Sequence, residues 1–124
     1  MATPKVFVSY ARQDQALAQD ILRVLRPMNV DVWSDEQLVA GENWKESLLD
    51  QIKQSTHFVL VVSPHTFSSP WAFQELGAAW ALNKSIIPVV TDPRLLKSLP
   101  IELQATQAIS PDELDKLDGA LNAA

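Results

Sequence analysis

The sequence predicts an open α/β fold, a parallel sheet with helices packed on both of its faces. Two observations carry this. Short apolar, β-branched runs alternate with amphipathic helical patterns five times along 124 residues, the pattern that βαβ winding requires. The third run, THFVLVVS (56–63), is apolar almost without interruption, as a central strand covered on both faces must be.

Each element can be justified in turn. KVFVSY (5–10) is β-branched and aromatic and reads as the first strand. DQALAQDILRVLRP (14–27) places Leu17, Ile21, Leu22 and Leu25 on one helical face before Pro27 stops it. VDVW (30–33) is a short second strand, followed by the polar loop SDEQLVAGEN (34–43). In WKESLLDQIKQ (44–54), Trp44, Leu48, Leu49 and Ile52 again share a helical stripe. After the third strand, Ser69 can cap and Pro70 can begin a further helix in SSPWAFQELGAAWALNK (68–84). SIIPVV (85–90) is the fourth strand, where Pro88 points to an edge position or an early end. The tail reads as a turn at DPRLLKSLP, a short fifth strand TQAIS (106–110) and a last helix, PDELDKLDGAL. A single domain over residues 1–124 accommodates all of this, and its length suffices for one core.

Composition removes several function classes. Cysteine is absent, which excludes disulfides, thiolate zinc sites and a cysteine nucleophile and fits a reducing compartment. A formal net charge of -5 argues against a nucleic-acid or acidic-membrane surface, because phosphate backbones need a basic face. The longest apolar run, FVLVV (58–62), is far short of the ~20 residues of a membrane span. With no secretion signal at the N-terminus, a cytoplasmic location is expected. His57 and His65 lack metal-ligand spacing, so surface or packing roles and no metal are expected. The only glycines are Gly41, Gly77 and Gly119, so neither phosphate-cradling glycine motif is present. No GxSxG elbow occurs either.

In sheets of this kind, ligands bind beyond the carboxyl ends of the strands, where strand order reverses. That rule nominates Ser9, Tyr10 and Arg12 after the first strand, Ser34 and Asp35 after the second, and Ser63 and Pro64 after the third. Trp33 ends the second strand close by, where, as for Trp44, packing is the commoner role for such a residue. One acid stands out: Glu75 is the only Asp, Glu, Lys or Arg between Lys53 and Lys84, in a helix apolar on nearly every side. A glutamate in the second turn of a helix is ordinarily a solvated surface residue. A buried one without a local counter-ion costs several kcal/mol and is tolerated mainly where it has a task. Leu38 and Val39, at the tip of the polar loop beside Gly41, favour a partner surface.

Three blocks, FVSYARQD, VWSDEQLVAGENW and FVLVVSPHTFSSPWAFQELGAAW, in this order and spacing, resemble the signature blocks of the Toll/interleukin-1 receptor (TIR) domain family. The likeness covers about residues 5–90 and is strongest toward NAD-cleaving, bacterial-type members. It implies a flavodoxin-like five-stranded parallel sheet in the order 2-1-3-4-5, in a family usually fused to other segments. The cleaving members use a glutamate four residues after a tryptophan, which Trp71 and Glu75 match. The resemblance further implies that Tyr10 and Arg12 line a substrate cleft with Trp71, crossed by the loop that Asp35 opens; strand-end position adds Ser9 and Trp33 to the candidate substrate-binding residues. Ala11 departs from members with a basic residue there. NAD+ would be the substrate, with no separate cofactor, and the product ADP-ribose or a cyclic isomer. Active sites of the family are completed by a neighbouring molecule, which implies association with other TIR domains as a homo-oligomer or filament through Leu38, Val39 and Gly41. Other members are non-catalytic adaptors that only pair with TIR domains, and this is the rival reading.

One acid is enough for that chemistry. A sugar hydrolase acting on an oxygen leaving group needs a general acid as well as a base or nucleophile. Nicotinamide in NAD+ is already cationic and leaves neutral. The enzyme has only to stabilise an oxocarbenium-like ribose, which a desolvated carboxylate does electrostatically.

Overall fold

Successive side chains of a strand point to opposite faces, and in β1 (Lys5–Ser9), β3 (His57–Val62) and β4 (Ser85–Val90) both sets are largely apolar and buried. The computed structural model describes residues 3–34, 44–99 and 108–122. It pairs these strands with β2 (Asp31–Ser34) in one parallel sheet, ordered β2-β1-β3-β4. The β1 register runs from Lys5↔Asp31 to Val8↔Ser34 on one side and from Val6↔His57 to Ser9↔Leu60 on the other. β2 starts one residue later than the sequence suggested because the Val30 N–H is taken by the Met28 carbonyl in the preceding turn, at 2.8 Å.

Among the described residues four α-helices cover the sheet: α1 (Gln15–Leu25), α2 (Trp44–Gln54), α3 (Pro70–Ala81) and α4 (Lys116–Asn122). The face formed by Val6, Val8, Val59, Val61, Ile87 and Val89 packs against Ala18, Ile21, Leu22 and Leu25 of α1 and Leu117 and Leu121 of α4. Phe7, Phe58, Leu60, Val62, Ile86 and Val90 form the other face, under Leu48 and Ile52 of α2 and Leu76 and Ala79 of α3. Phe7 anchors that second layer, stacked on Trp33 at 4.9 Å between ring centroids and on Phe58 at 5.4 Å. Each such side chain, once fully enclosed, contributes roughly 1.5–3 kcal/mol. No helix among the described residues is long and apolar enough to cross a membrane.

Of the five strands expected, the described residues form four. Where the fifth was expected, in TQAIS, Ile109 makes a single parallel bridge to Val89. It donates to the Pro88 carbonyl and accepts from the Val90 N–H, both at 2.8 Å. Extension stops there because Ser110 caps the 3-10 turn Pro111–Glu113 and Pro111 has no N–H to offer a ladder. Residues 106 and 107 lie outside the described residues. The last helix is correspondingly split into that 3-10 turn and α4.

Pro88 sits within β4 without disturbing it, and the hydrogen-bond directions say why. Ser85 and Thr91 donate inward, to carbonyls of Thr56 and Val62, whereas Val90 donates outward to Ile109. Residue 88 shares the parity of Val90, so the N–H that proline lacks would have pointed away from β3. Proline is tolerated at a sheet edge for that reason.

α3 is fixed at both ends. Ser69 accepts a hydrogen bond from the Ala72 N–H at 3.3 Å, and Pro70 opens the helix. At the far end Asn83 takes the left-handed conformation, with φ 58°. Its N–H donates to the Trp80 carbonyl at 3.1 Å while Lys84 N–H reaches the Ala79 carbonyl at 3.0 Å, the paired closure of a Schellman motif. Asn83→Ala should lower stability by about 1 kcal/mol in urea denaturation, since an alanine in this conformation is strained. Asn83→Gly should hold stability or raise it. Equal midpoints for the alanine and wild-type proteins would contradict this account of the helix end.

Candidate functional site

Strand order reverses between β1 and β3, so the crevice between their carboxyl ends is the place where a ligand would lie. Two serines terminate these strands. Ser9, the last residue of β1, shares the parity of Phe7 and therefore faces the α3 layer. Ser63, just beyond β3, shares the parity of Val59 and Val61 and faces the α1 layer. Each meets a carboxylate there. Ser9 Oγ donates to Glu75 Oε1 at 2.7 Å, and Ser63 Oγ donates to Asp14 Oδ2 at 2.5 Å. The pairing is crossed: the serine ending β1 meets the acid that follows β3, and the serine after β3 meets the acid that follows β1.

Glu75 stands in the second turn of α3, on the inward side with Ala72, Leu76 and Ala79, and is 4% exposed. The segment leading to it is tied down residue by residue. Ser63 N–H donates to Thr66 Oγ1 at 2.9 Å, and that hydroxyl donates onward to the Val61 carbonyl at 2.9 Å. His65 N–H donates to Ser63 Oγ at 3.0 Å. Thr66 is fully buried, which makes this loop a rigid bracket between β3 and α3.

The remaining nominated residues divide. Arg12 is exposed in the 3-10 turn Arg12–Asp14, directly beyond β1. Tyr10 goes to the opposite layer from Ser9, buried in the core with Val8 and Ile21. Trp33 is buried against Phe7. Trp71 stands in the first turn of α3; its side chain is outside the described part. Asp35, Leu38, Val39 and Gly41 lie outside the described residues. The structure thus brings together Ser9 and Glu75, with Arg12 nearby in sequence on the same strand end, and separates Tyr10 and Trp33 into packing positions.

Asp14 and Thr66 are the site residues that sequence reasoning passed over. Asp14 reads as the first residue of a helix, and nothing local marks its partner 49 residues away. The parity of Ser63 along β3 was the available signal. At the other pole, His57 is lowered below its ordinary value by burial, with Nδ1 2.7 Å from the Thr56 hydroxyl, a packing position.

Comparison with known proteins agrees with this architecture. A family model described as TIR domain matches residues 6–120. The chain is 30% identical over 97 residues to NAD(+) hydrolase sarm1 of Drosophila melanogaster, covering 71% of this chain and 7% of that protein. It is 30% identical over 97 residues to NAD(+) hydrolase tir-1 of Caenorhabditis elegans, covering 68% and 10%. The chain therefore spans a tenth or less of the length of these relatives. Among solved structures, a metazoan TIR-STING receptor from C. gigas superposes with a TM-score of 0.79 at 23% identity, covering 95% of this chain and 40% of that one. That likeness is one of fold.

If the Ser63–Asp14 bond ties β3 to the start of α1, the two side chains should be energetically coupled. A double-mutant cycle with Ser63→Ala and Asp14→Ala should return a coupling of about 1–2 kcal/mol, as befits a charge-assisted, partly buried hydrogen bond. Additive effects within about 0.3 kcal/mol would show that the bond contributes nothing.

Proposed function

The chain belongs to the TIR domain family, and from that premise we propose that it is an NAD+ glycohydrolase, cleaving the bond between nicotinamide and ribose. One observation carries the reading: the carboxylate of Glu75, 4% exposed, is held by Ser9 at the head of the crevice between β1 and β3. The relatives named NAD(+) hydrolase support the choice of substrate.

The proposed reaction needs little machinery. The bond from ribose C1′ to the pyridinium nitrogen breaks, its electron pair goes to that nitrogen, and nicotinamide leaves neutral. Positive charge builds on the ribose, where Glu75 in a water-poor setting stabilises it far more than it would in bulk water. Water then bonds to C1′ and loses a proton, giving ADP-ribose. In the cyclising variant a nucleophile on the ADP-ribose itself attacks instead. Arg12, exposed just beyond β1, would meet the pyrophosphate. Trp71 would stack on the nicotinamide or shape its pocket.

Because Glu75 is enclosed, substrate reaches it only when the surrounding segments part. We assign that opening to self-association, through the loop carrying Leu38, Val39 and Gly41. A cytoplasmic signalling role fits such control. The rival reading, an adaptor that only pairs with other TIR domains, is favoured by one observation: Trp80 on α3 is 56% exposed, a large apolar surface suited to a partner.

Incubating the purified protein with NAD+ and measuring nicotinamide separates the two readings. Glu75→Gln should reduce release by about 100-fold or more, the usual loss when an electrostatic group acting on the transition state is removed. Its amide oxygen can still accept from Ser9, so the melting temperature should move little. Release at the wild-type rate would overturn the assignment of Glu75. Specific activity of the wild type should also rise with protein concentration, and replacing Leu38 and Val39 together with Asp should flatten that rise. High, constant specific activity in a strictly monomeric sample would refute the assembly step alone.

A further inference from the structure

Ser9 was nominated from the sequence as a residue that touches substrate, and its surroundings assign it a different task. The residue has no exposed surface. It is paired in register with Leu60 on the neighbouring strand, and its Oγ–H is directed 2.7 Å onto Glu75 Oε1. The partner is 66 residues away in sequence and stands on a different layer, so this contact exists only in the assembled fold.

We propose that Ser9 is a positioning residue that acts through Glu75, its buried hydroxyl holding the carboxylate in one orientation at the head of the crevice. The proposal rests on the NAD+ glycohydrolase reading for its effect on turnover, though the contact itself does not. A glutamate side chain has three rotatable bonds and gives up on the order of 1.5–2 kcal/mol of conformational entropy when it is fixed. A strand-borne hydroxyl is a suitable anchor. Ser9 closes β1 in register with Leu60 of β3, so its backbone is held by that ladder and one side-chain torsion sets where the donor points. The bond also favours the ionised form of the acid, because it donates to the charged oxygen. Both effects bear on the step in which ribose becomes cationic, and neither contributes to ground-state affinity.

The test separates the hydroxyl from its volume. Ser9→Thr and Ser9→Val add nearly the same bulk and differ in whether a hydroxyl remains, while Ser9→Ala removes the hydroxyl without adding bulk. With NAD+ as substrate, Ser9→Ala and Ser9→Val should lower kcat about 10-fold with KM changed less than about twofold, the signature of an interaction made in the transition state. Ser9→Thr should keep most of the activity. In parallel, 13C NMR of the Glu75 carboxyl, assigned by its loss in Glu75→Gln, should titrate at higher pH in Ser9→Ala than in the wild type.

A wild-type kcat in Ser9→Ala with an unmoved carboxyl titration overturns the proposal, as does a rise in KM alone, which would mean direct substrate contact. If the branched variants fail to fold, Ser9→Ala against wild type decides by the kcat and KM split. If the wild type releases no nicotinamide, the functional reading fails, and the carboxyl titration still decides whether Ser9 governs Glu75.

Discussion

Adjacent residues of a strand cannot face the same layer, and in this chain that constraint decides what stands at the crevice. Along β1 the odd positions look toward α2 and α3 and the even ones toward α1 and α4. Ser9 therefore comes under α3 and Tyr10 enters the α1 layer, although the two are neighbours in sequence. On β3 the same alternation turns Ser63 toward α1. The two crossed serine–carboxylate bonds follow from this geometry together with the parallel pairing of β1 and β3. They lace the sheet to one helix layer on each face, at the end where strand order reverses.

The placement of Glu75 is costly and is held from three directions. Ser69 and Pro70 fix where α3 begins, the Schellman closure at Asn83 fixes where it ends, and Thr66 ties the loop before it to β3. A carboxylate in such a setting is oriented before any ligand arrives, and preorganisation of that kind is what electrostatic stabilisation of a transition state requires. The neighbouring apolar side chains Ala72, Leu76 and Ala79 serve the same end by keeping water away.

Much of this fold was legible. The helix of residues 44–54 and the strand of residues 85–90 came out with their expected bounds, because apolar period and cap residues mark them locally. Of the expected fifth strand, Ile109 alone pairs among the described residues, and Pro111 ends it on the C-terminal side. At the site, Glu75 was legible as an anomaly of charge, a lone acid in an apolar helix. Its partner was not, since Ser9 and Tyr10 look equally available when strand-end position alone is considered. Trp33 lies near the end of its strand, and its ring stacks on Phe7, in keeping with the packing role its type suggests. Asp14 escaped because a carboxylate at a helix start is commonplace, and its hydroxyl partner is defined only by the fold.

The proline in β4 has a consequence for how copies of this chain can meet. A sheet edge is ordinarily an invitation to another strand, since its free backbone groups can continue the ladder into a second molecule. At this edge the outward donor is missing at Pro88, the outward N–H of Val90 is taken by Ile109, and Ile109 also covers the Pro88 carbonyl. A strand arriving from outside would find gaps where it needed partners. From Pro88 to Val90 this edge is thereby closed to an added strand, because the backbone groups that would carry the ladder onward are absent or already used.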